Sequence, residues 1–322
     1  MKKFIGCDLG GTNLRAAIID AGNGQVLHQA SIPTLSREGH DAVMKRMSDL
    51  FLQVIATSGI SKEEIGGIGI GVPGVLDLEK GETLFLPNLP GTWPHVPLGR
   101  TVQDLTGLPV ALLNDVRSIT FGEWSFGAGR GVDTVAVLAI GTGIGGGLVI
   151  NGRLYLGMGG TGGELGHMVI DFNGPRCGCG NYGCLEAFAS GPAIAAMGMK
   201  AVAQGLTTSL GEMCGYDLNQ ITPELIANAA VAGDEIAGDI FEKAGFYLGV
   251  AASSLCASVG PQRIIVAGGV ASAGRLLLDP MERTMRARVS VMPVDQVQIV
   301  RATLGGDAGV IGAALWAKEK FA

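Results

Sequence analysis

The chain is 322 residues long, which gives room for about two domains. Hydrophobic residues make up 47% and charged residues 16%, with a mean hydropathy of +0.37, so a large core is available; the 53 glycines are not periodic, which excludes a collagen-like or low-complexity chain. A net charge of −6, a pI of about 5.3 and the lack of a basic run argue against nucleic acid as a partner, and no apolar stretch reaches the roughly 18 residues of a membrane span.

In chain order, KFIGCDLG, LRAAIIDA and QVLHQASIP predict three consecutive strands joined by short Gly-containing turns. The N-terminal stretch MKKFIGCDLGG is a strand entering a turn and lacks the apolar core of a secretory signal, so a reducing, cytoplasmic setting is expected. Residues 38–58 carry helical spacing, with Val43, Met47, Leu50, Phe51 and Val54 on one face. IGGIGIGVPG predicts a buried strand ending in the loop Gly71-Val72-Pro73-Gly74. Pro97 to Thr106 reads as a helix, and VALLND as a buried strand ending on two polar residues. TVAVLAIGTGIGGGLVINGRLY opens a second unit with two strands and a Gly-rich turn between them. Helices follow at 190–206 and 233–258, then the strand RIIVAGG, a helix near 275–289, the strand VQIVRA and a last helix from about 307 to 320. Strand–turn–strand thus occurs twice, as CDLGGTNLRAAII and LAIGTGIGGGLVI, each with a Thr in the turn. A duplicated α/β architecture with a cleft between its halves accounts for this echo, and so does chance similarity of two Gly-rich hairpins.

The densest chemical signal lies in GELGHMVIDFNGPRCGCGNYGCLE. Cys177, Cys179 and Cys184, three of the six cysteines, fall within eight residues, with His167 upstream. A Cys3His set has the ligand count and softness of a closed structural zinc site. Disulfides compete with this reading, but three close cysteines leave an odd one and no signal peptide is evident. Glu164 and Glu186 flank the cluster, so a metal knot would fix two carboxylates in place. The turns Gly10-Gly11-Thr12 and Gly141-Thr142-Gly143 offer backbone N–H groups for phosphate oxygens, and Asp8 is placed to hold Mg2+ through water. Plain hairpins and a solvated Asp are the competing reading. Residues 141–146 also match the dinucleotide fingerprint G-x-G-x-x-G, but a strand follows where that motif requires a helix, and no P-loop sequence exists. Asp115 closes a strand, where it can accept a proton from a substrate hydroxyl or, alternatively, cap the next helix. Cys7, Cys214 and Cys256 sit in apolar segments and read as inert buried thiols.

Five motifs run in order through almost the whole chain: DLGGT at 8–12, ND at 114–115, GTGIGGG at 141–147, GELGH at 163–167 and CGCGNYGCLE at 177–186. In these the chain resembles the ROK family of bacterial sugar kinases, within the actin-like kinase superfamily. The resemblance implies an α/β, two-domain actin-like (ribonuclease H-like) sugar kinase fold with an interdomain cleft. It places a small domain at 1–115 and a large domain with a zinc-binding loop at 116–305, and a C-terminal helix at about 306–322 packs back on the first. It further implies that Asp115 is the general base toward the sugar 6-hydroxyl, and that Asn114, Glu164, His167 and Glu186 bind sugar hydroxyls. His167 would also bind zinc with Cys177, Cys179 and Cys184. Asn88 and the loop around Gly74 would line the same pocket. Asp8, Gly10, Gly11, Thr12, Gly141, Thr142 and Gly143 would face the triphosphate and Mg2+, and Gly268 and Gly269 the adenosine. Repressors of the family carry an additional N-terminal helix-turn-helix domain; with the first phosphate motif at residue 8, none is expected here. Homodimers are common in the family, and one is expected.

The implied activity is ATP-dependent phosphorylation of a hexose at its 6-hydroxyl. CLEAFASG and PNLPGTW look closer to glucokinases than to acetylhexosamine kinases, so D-glucose is the expected substrate. N-acetylglucosamine, N-acetylmannosamine, mannose, fructose and allose are the alternatives. A non-catalytic sugar sensor would need neither Asp115 nor the phosphate loops, and a zinc-dependent hydrolase would need an open metal position that four protein ligands close.

Overall fold

The computed structural model describes residues 2–322. Its first half opens with an antiparallel meander of β1 (Lys3–Leu9), β2 (Asn13–Asp20) and β3 (Gln25–Pro33). Helix α1 (His40–Ser58) leads to β4 (Ile65–Val72), which pairs parallel with β1. A hairpin of β5 (Val75–Asp77) and β6 (Glu82–Phe85) and helix α2 (Leu98–Thr106) come before β7 (Val110–Asn114), which lies parallel to β4. The sheet order is β3-β2-β1-β4-β7.

Helix α3 (Asp115–Phe126) leads into the second half, where β8 (Val135–Ile140), β9 (Ile144–Ile150) and β10 (Arg153–Leu154) form another meander. Five helices follow: α4 (Glu186–Ala189), α5 (Gly191–Ala203), α6 (Leu210–Met213), α7 (Pro223–Val231) and α8 (Glu235–Val259). Strand β11 (Arg263–Ala267) pairs parallel with β8; after α9 (Arg275–Arg288), β12 (Gln298–Arg301) pairs parallel with β11. Helix α10 (Ala308–Phe321) follows. This sheet runs β10-β9-β8-β11-β12, so both sheets share one strand order and one pattern of pairing. The sequence echo is therefore architectural: each Gly-rich turn joins the first and second strands of its own sheet.

Burial explains the sequence patterns. Strand β4 reads IGGIGIGV and is inward-facing along almost its whole length, because α1 and α2 cover one face of the sheet and α10 the other. Edge strand β3 instead alternates between half-buried and exposed positions. In the second half, α5, α7, α8 and α9 pack on one face, and Ile119 and Trp124 of α3 on the other. Cys7, Cys214 and Cys256 are buried, in line with their apolar contexts. The hairpin β5–β6 and the helices α6 and α7 were not anticipated. For α7 the signal was present: Thr222 caps the Leu225 N–H at 3.2 Å, with Pro223 in the first turn. No helix among the described residues is long and apolar enough to cross a membrane.

Helix α10 lies so close to the first sheet that a Cβ on Gly6 or Gly69 would overlap the carbonyl oxygen of Val310 or Ala313. Gly69→Val should therefore push α10 off the sheet and cost about 3 kcal/mol in urea unfolding. Gly238→Ala, in an α8 position with open space around its Cβ, should be neutral or stabilising by up to about 1 kcal/mol. Equal stability of the two variants would show that the α10 seat tolerates displacement.

Candidate active site

Three cavities run together where the carboxyl ends of the strands of both sheets meet. The first, about 580 Å³, is lined by Gly74, Asn88, Asn114 and Asp115 from the first half and by Gly141–Gly146, Glu164, His167 and Glu186 from the second. The next, about 420 Å³, holds Asp8, Asp115, Gly268, Gly269, Arg301 and the start of α10. The third, about 480 Å³, lies between the Gly141-Thr142 turn, Gly269 and α7. Asp115 and Gly268 are shared by the first two, Gly141 and Thr142 by the first and third, and Gly269 by the second and third, so the three form one groove. In α/β sheets this is where ligands bind.

Strand β7 ends on Asn114 and α3 begins on Asp115. The helix cap is Asn114: its Oδ1 accepts the N–H groups of Val116 at 3.0 Å and Arg117 at 3.2 Å, and its amide donates to the Gly74 carbonyl at 3.2 Å. Capping thus falls to the neighbour, and the Asp115 carboxylate lines two cavities while its Oδ1 accepts the Val116 N–H at 2.9 Å. Burial pushes the Asp115 carboxyl above its ordinary range; the Val116 N–H and the Arg117 charge oppose this, and the Glu164 charge adds to it. Asp8 lies in the middle cavity without a hydrogen-bond donor among the described residues. Burial, then the Asp115 charge, raise it from 3.8 to about 6 against the opposing pull of Arg15. An orphaned carboxylate of this kind fits a divalent cation.

The two glutamates of the first cavity are held. The Glu164 Oε1 pairs with Arg117 Nη2 at 2.8 Å. The Glu186 Oε2 accepts the Ile144 N–H at 2.9 Å, which ties it to the turn between β8 and β9, and its Oε1 lies 3.5 Å from Cys177 Sγ. Around them, the ligand atoms of His167, Cys177, Cys179 and Cys184 all lie within 4.8 Å of one another. The Cys179 and Cys184 sulfurs are 3.8 Å apart, as are Cys177 Sγ and His167 Nδ1. Sulfurs bound tetrahedrally to one Zn2+ at about 2.3 Å are separated by about 3.8 Å, so the donor set and its spacing fit that ion. With Nδ1 turned to the cysteines, His167 keeps Nε2 for the cavity it lines.

The match to known proteins covers the whole arrangement. The ROK family model fits residues 4–320. The glucokinase of Thermotoga maritima is 36% identical over 319 residues, covering 99% of this chain and 98% of its own. The chain belongs to the ROK family. A solved ROK family glucokinase from Streptomyces griseus, in complex with glucose and AMPPNP, has a TM-score of 0.82 at 32% identity, with 98% of this chain and 99% of that one covered. A solved ROK family transcriptional regulator, a homologue of the E. coli MLC protein, has a TM-score of 0.84 at 31% identity and covers 99% of this chain with 78% of its own. The family and the actin-like α/β fold expected from the motifs are both borne out.

Not every site residue expected in this ROK protein lines the groove. Gly10, Gly11 and Thr12 line none of the three cavities; Gly11 and Thr12 are exposed, and the turn is braced from behind by Thr34, whose hydroxyl donates to the Gly10 carbonyl at 2.6 Å. Gly268, at φ 85, takes a backbone conformation that a side chain resists, and a Cβ there would overlap the Ile140 carbonyl. Sequence reasoning missed Thr222, Pro223, Glu224 and Ala227 of the third cavity along with the start of α7, and it missed Arg301 and Arg117 for want of any local motif.

The raised Asp8 carboxyl has a measurable consequence. Its folded value, about 6, exceeds the ordinary 3.8, so the unfolded state ionises first and stability attributable to Asp8 falls as pH rises through that window. Without added metal, Asp8→Asn should gain on wild type from about pH 4 to 7, approaching about 3 kcal/mol in chemical unfolding. A gap that stays flat across this range would mean that Asp8 is solvated.

Proposed function

We propose that this ROK protein catalyses ATP-dependent phosphorylation of D-glucose at its 6-hydroxyl. The observation that carries the reading is the position of Asp115, a half-buried carboxylate common to the cavity of the proposed hydroxyl-binding side chains and the cavity of Asp8. The relatives named glucokinase support a hexose kinase with glucose as substrate. The small domain would span 1–115 and the large one 116–305, with the final helix returning to the first, in a cytoplasmic homodimer.

In the proposed reaction ATP supplies the γ-phosphoryl group. The sugar lies against Asn88, Asn114, Glu164, His167 and Glu186. Asp115 accepts the 6-hydroxyl proton as the O6–P bond forms and the bond to the ADP oxygen breaks. Backbone N–H groups of Thr142 and Gly143 would face the phosphate oxygens, in a turn that the Gly141 N–H closes on the Gly143 carbonyl at 2.9 Å. Gly11 and Thr12 would meet them from the first sheet, in a turn that the Gly10 N–H closes on the Asn13 carbonyl at 3.0 Å. Asp8 would hold Mg2+, which places positive charge beside those oxygens. The third cavity, with Gly269 in its lining and Gly268 next to it in the chain, would take the adenosine. Zn2+ held by His167, Cys177, Cys179 and Cys184 would be structural, joining the segments that carry Glu164 and Glu186. The regulator-like structural relative favours a sugar sensor as the second reading. Asp115 and the lined phosphate turn argue for catalysis, since a sensor needs neither.

A coupled ADP-release assay with a hexose panel tests this. Glucose-dependent ADP formation is expected from wild type, and Asp115→Asn should lower kcat by about 10²–10⁴-fold with unchanged melting. Turnover in that variant near the wild-type rate would remove Asp115 as base; no turnover of wild type with any hexose would favour the sensor. Metal analysis should find one zinc per wild-type chain, and Cys179→Ser should lose the zinc together with glucose binding by calorimetry. Full glucose affinity in zinc-free Cys179→Ser would end the buttress reading.

A further inference from the structure

Arg117 is a charged side chain with only 2% of its surface exposed, and it takes no part in the scheme above. It lies two residues beyond Asp115 on α3, with its backbone N–H in the Asn114 cap. Its guanidinium makes two contacts, both to one segment: Nε donates to the Gly162 carbonyl at 2.9 Å and Nη2 to Glu164 Oε1 at 2.8 Å. That segment is LGMGGTGGE, with glycines at 157, 159, 160, 162 and 163, of which 157, 159, 160 and 163 have positive φ. A backbone so rich in glycine has little stiffness of its own. The Glu164 side chain remains 49% exposed and lines the first cavity, and its Oε2 receives no hydrogen bond among the described residues.

We propose that Arg117 is a positioning residue that sets hexose affinity and selectivity. It pins the glycine segment at Gly162 and fixes Glu164, so that the free oxygen is aimed at one sugar hydroxyl. This rests on the hexose-kinase reading above. The fork geometry is what matters. An arginine reaches a carbonyl and a carboxylate at once with fixed spacing, whereas a lysine presents one point charge. Arg117 lines none of the three cavities, so it acts through Glu164 and not on the sugar. The substrate class that follows is a hexose with a free hydroxyl donor opposite Glu164; its deoxy analogue at that carbon is the one the site rejects.

The experiment measures kcat and KM for glucose and its 1-, 2-, 3- and 4-deoxy analogues in wild type, Arg117→Met, Arg117→Lys, Glu164→Gln and the Arg117→Met/Glu164→Gln double variant, with melting curves on the same samples. Arg117→Met should raise the glucose KM by about tenfold or more, with the KM for ATP within about twofold. Arg117→Lys should recover part of this loss, and it carries the test if the Met variant does not fold. In the Glu164→Gln background the Met substitution should raise KM by less than it does in wild type, because the ion pair is already lost while the Gly162 contact remains. Arg117→Met should also lose discrimination against the same deoxyglucose that Glu164→Gln ceases to reject. An unchanged glucose KM in Arg117→Met, an undiminished effect in the double variant, or an equal loss for all five sugars would each overturn the inference while leaving the kinase reading in place. Absence of hexose turnover by wild type would overturn both.

Discussion

The seat of α10 holds the two halves of the molecule in register. This helix contacts β1 and β4 backbone to backbone at Gly6 and Gly69 and packs along α3. Trp316 Nε1 donates to the Leu112 carbonyl of β7 at 2.8 Å. The approach to α10 is fastened to α3 by Glu123, a fully buried carboxylate that accepts N–H groups from Ala128 at 2.9 Å, Thr303 at 3.0 Å and Leu304 at 2.8 Å. Arg15 of β2 reaches over to the Gly306 carbonyl and to Asp307. Buried charges are tolerated only where such partners surround them. Because β1 carries Asp8 and α3 carries Asp115, and both rest on α10, the separation of these two groove carboxylates follows from this joint.

Asp8, Asp115, Glu164 and Glu186 divide into two kinds. Glu164 and Glu186 are each fixed by a protein donor, Arg117 Nη2 in one case and the Ile144 N–H in the other. Ordering them before a ligand arrives removes a cost from binding. Among the described residues Asp8 has no hydrogen-bond donor and Asp115 accepts the Val116 N–H; burial raises both. Such groups gain most from an incoming cation or proton. The pinned pair suits recognition of a fixed pattern of hydroxyls, and the strained pair suits chemistry. Glu186 also joins the two functions, since the N–H it accepts belongs to the first residue after the Gly141-Thr142-Gly143 turn.

Most of the fold was legible because the strands are long and covered on both faces, so the apolar runs at β4, β8 and β11 stand out from their Gly-bounded ends. The echo of the two Gly-rich turns, which chance similarity could equally explain in the sequence, corresponds to the matching sheets. Short elements were harder to read. The hairpin β5–β6 has three- and four-residue strands, and α7 was passed over although Thr222-Pro223 opened it. At the groove, the motif residues from Asn114 to Glu186 include many that line its cavities, the Gly10-Gly11-Thr12 turn lines none, and residues working across the fold have no motif to mark them. Arg117 is separated from Glu164 by 47 positions, and Arg301 approaches Asp8 only because β12 is the far strand of the second sheet. Asn114 and Asp115 stood adjacent with interchangeable local signals, and only the geometry assigns the cap to the first and leaves the second to face the groove.

The charge of the groove constrains what it can take. Asp8, Asp115, Glu164, Glu186 and Glu224 line its three cavities, against Arg301 as the guanidinium among the lining residues. A triphosphate brought into such a field meets repulsion that a low dielectric magnifies. Backbone N–H groups of the Gly141-Thr142-Gly143 turn contribute partial charge only. In the proposed reaction a nucleotide would therefore enter with its own cation, and Asp8, whose half-buried carboxylate has no hydrogen-bond donor among the described residues, would hold it. An uncharged hexose meets no such barrier: its hydroxyls donate to the same carboxylates that repel phosphate. In the proposed reaction the excess of acid over base in the groove would thus separate the two substrates, with neutral polyol at the pinned glutamates and metal-bound phosphate at Asp8 and Asp115.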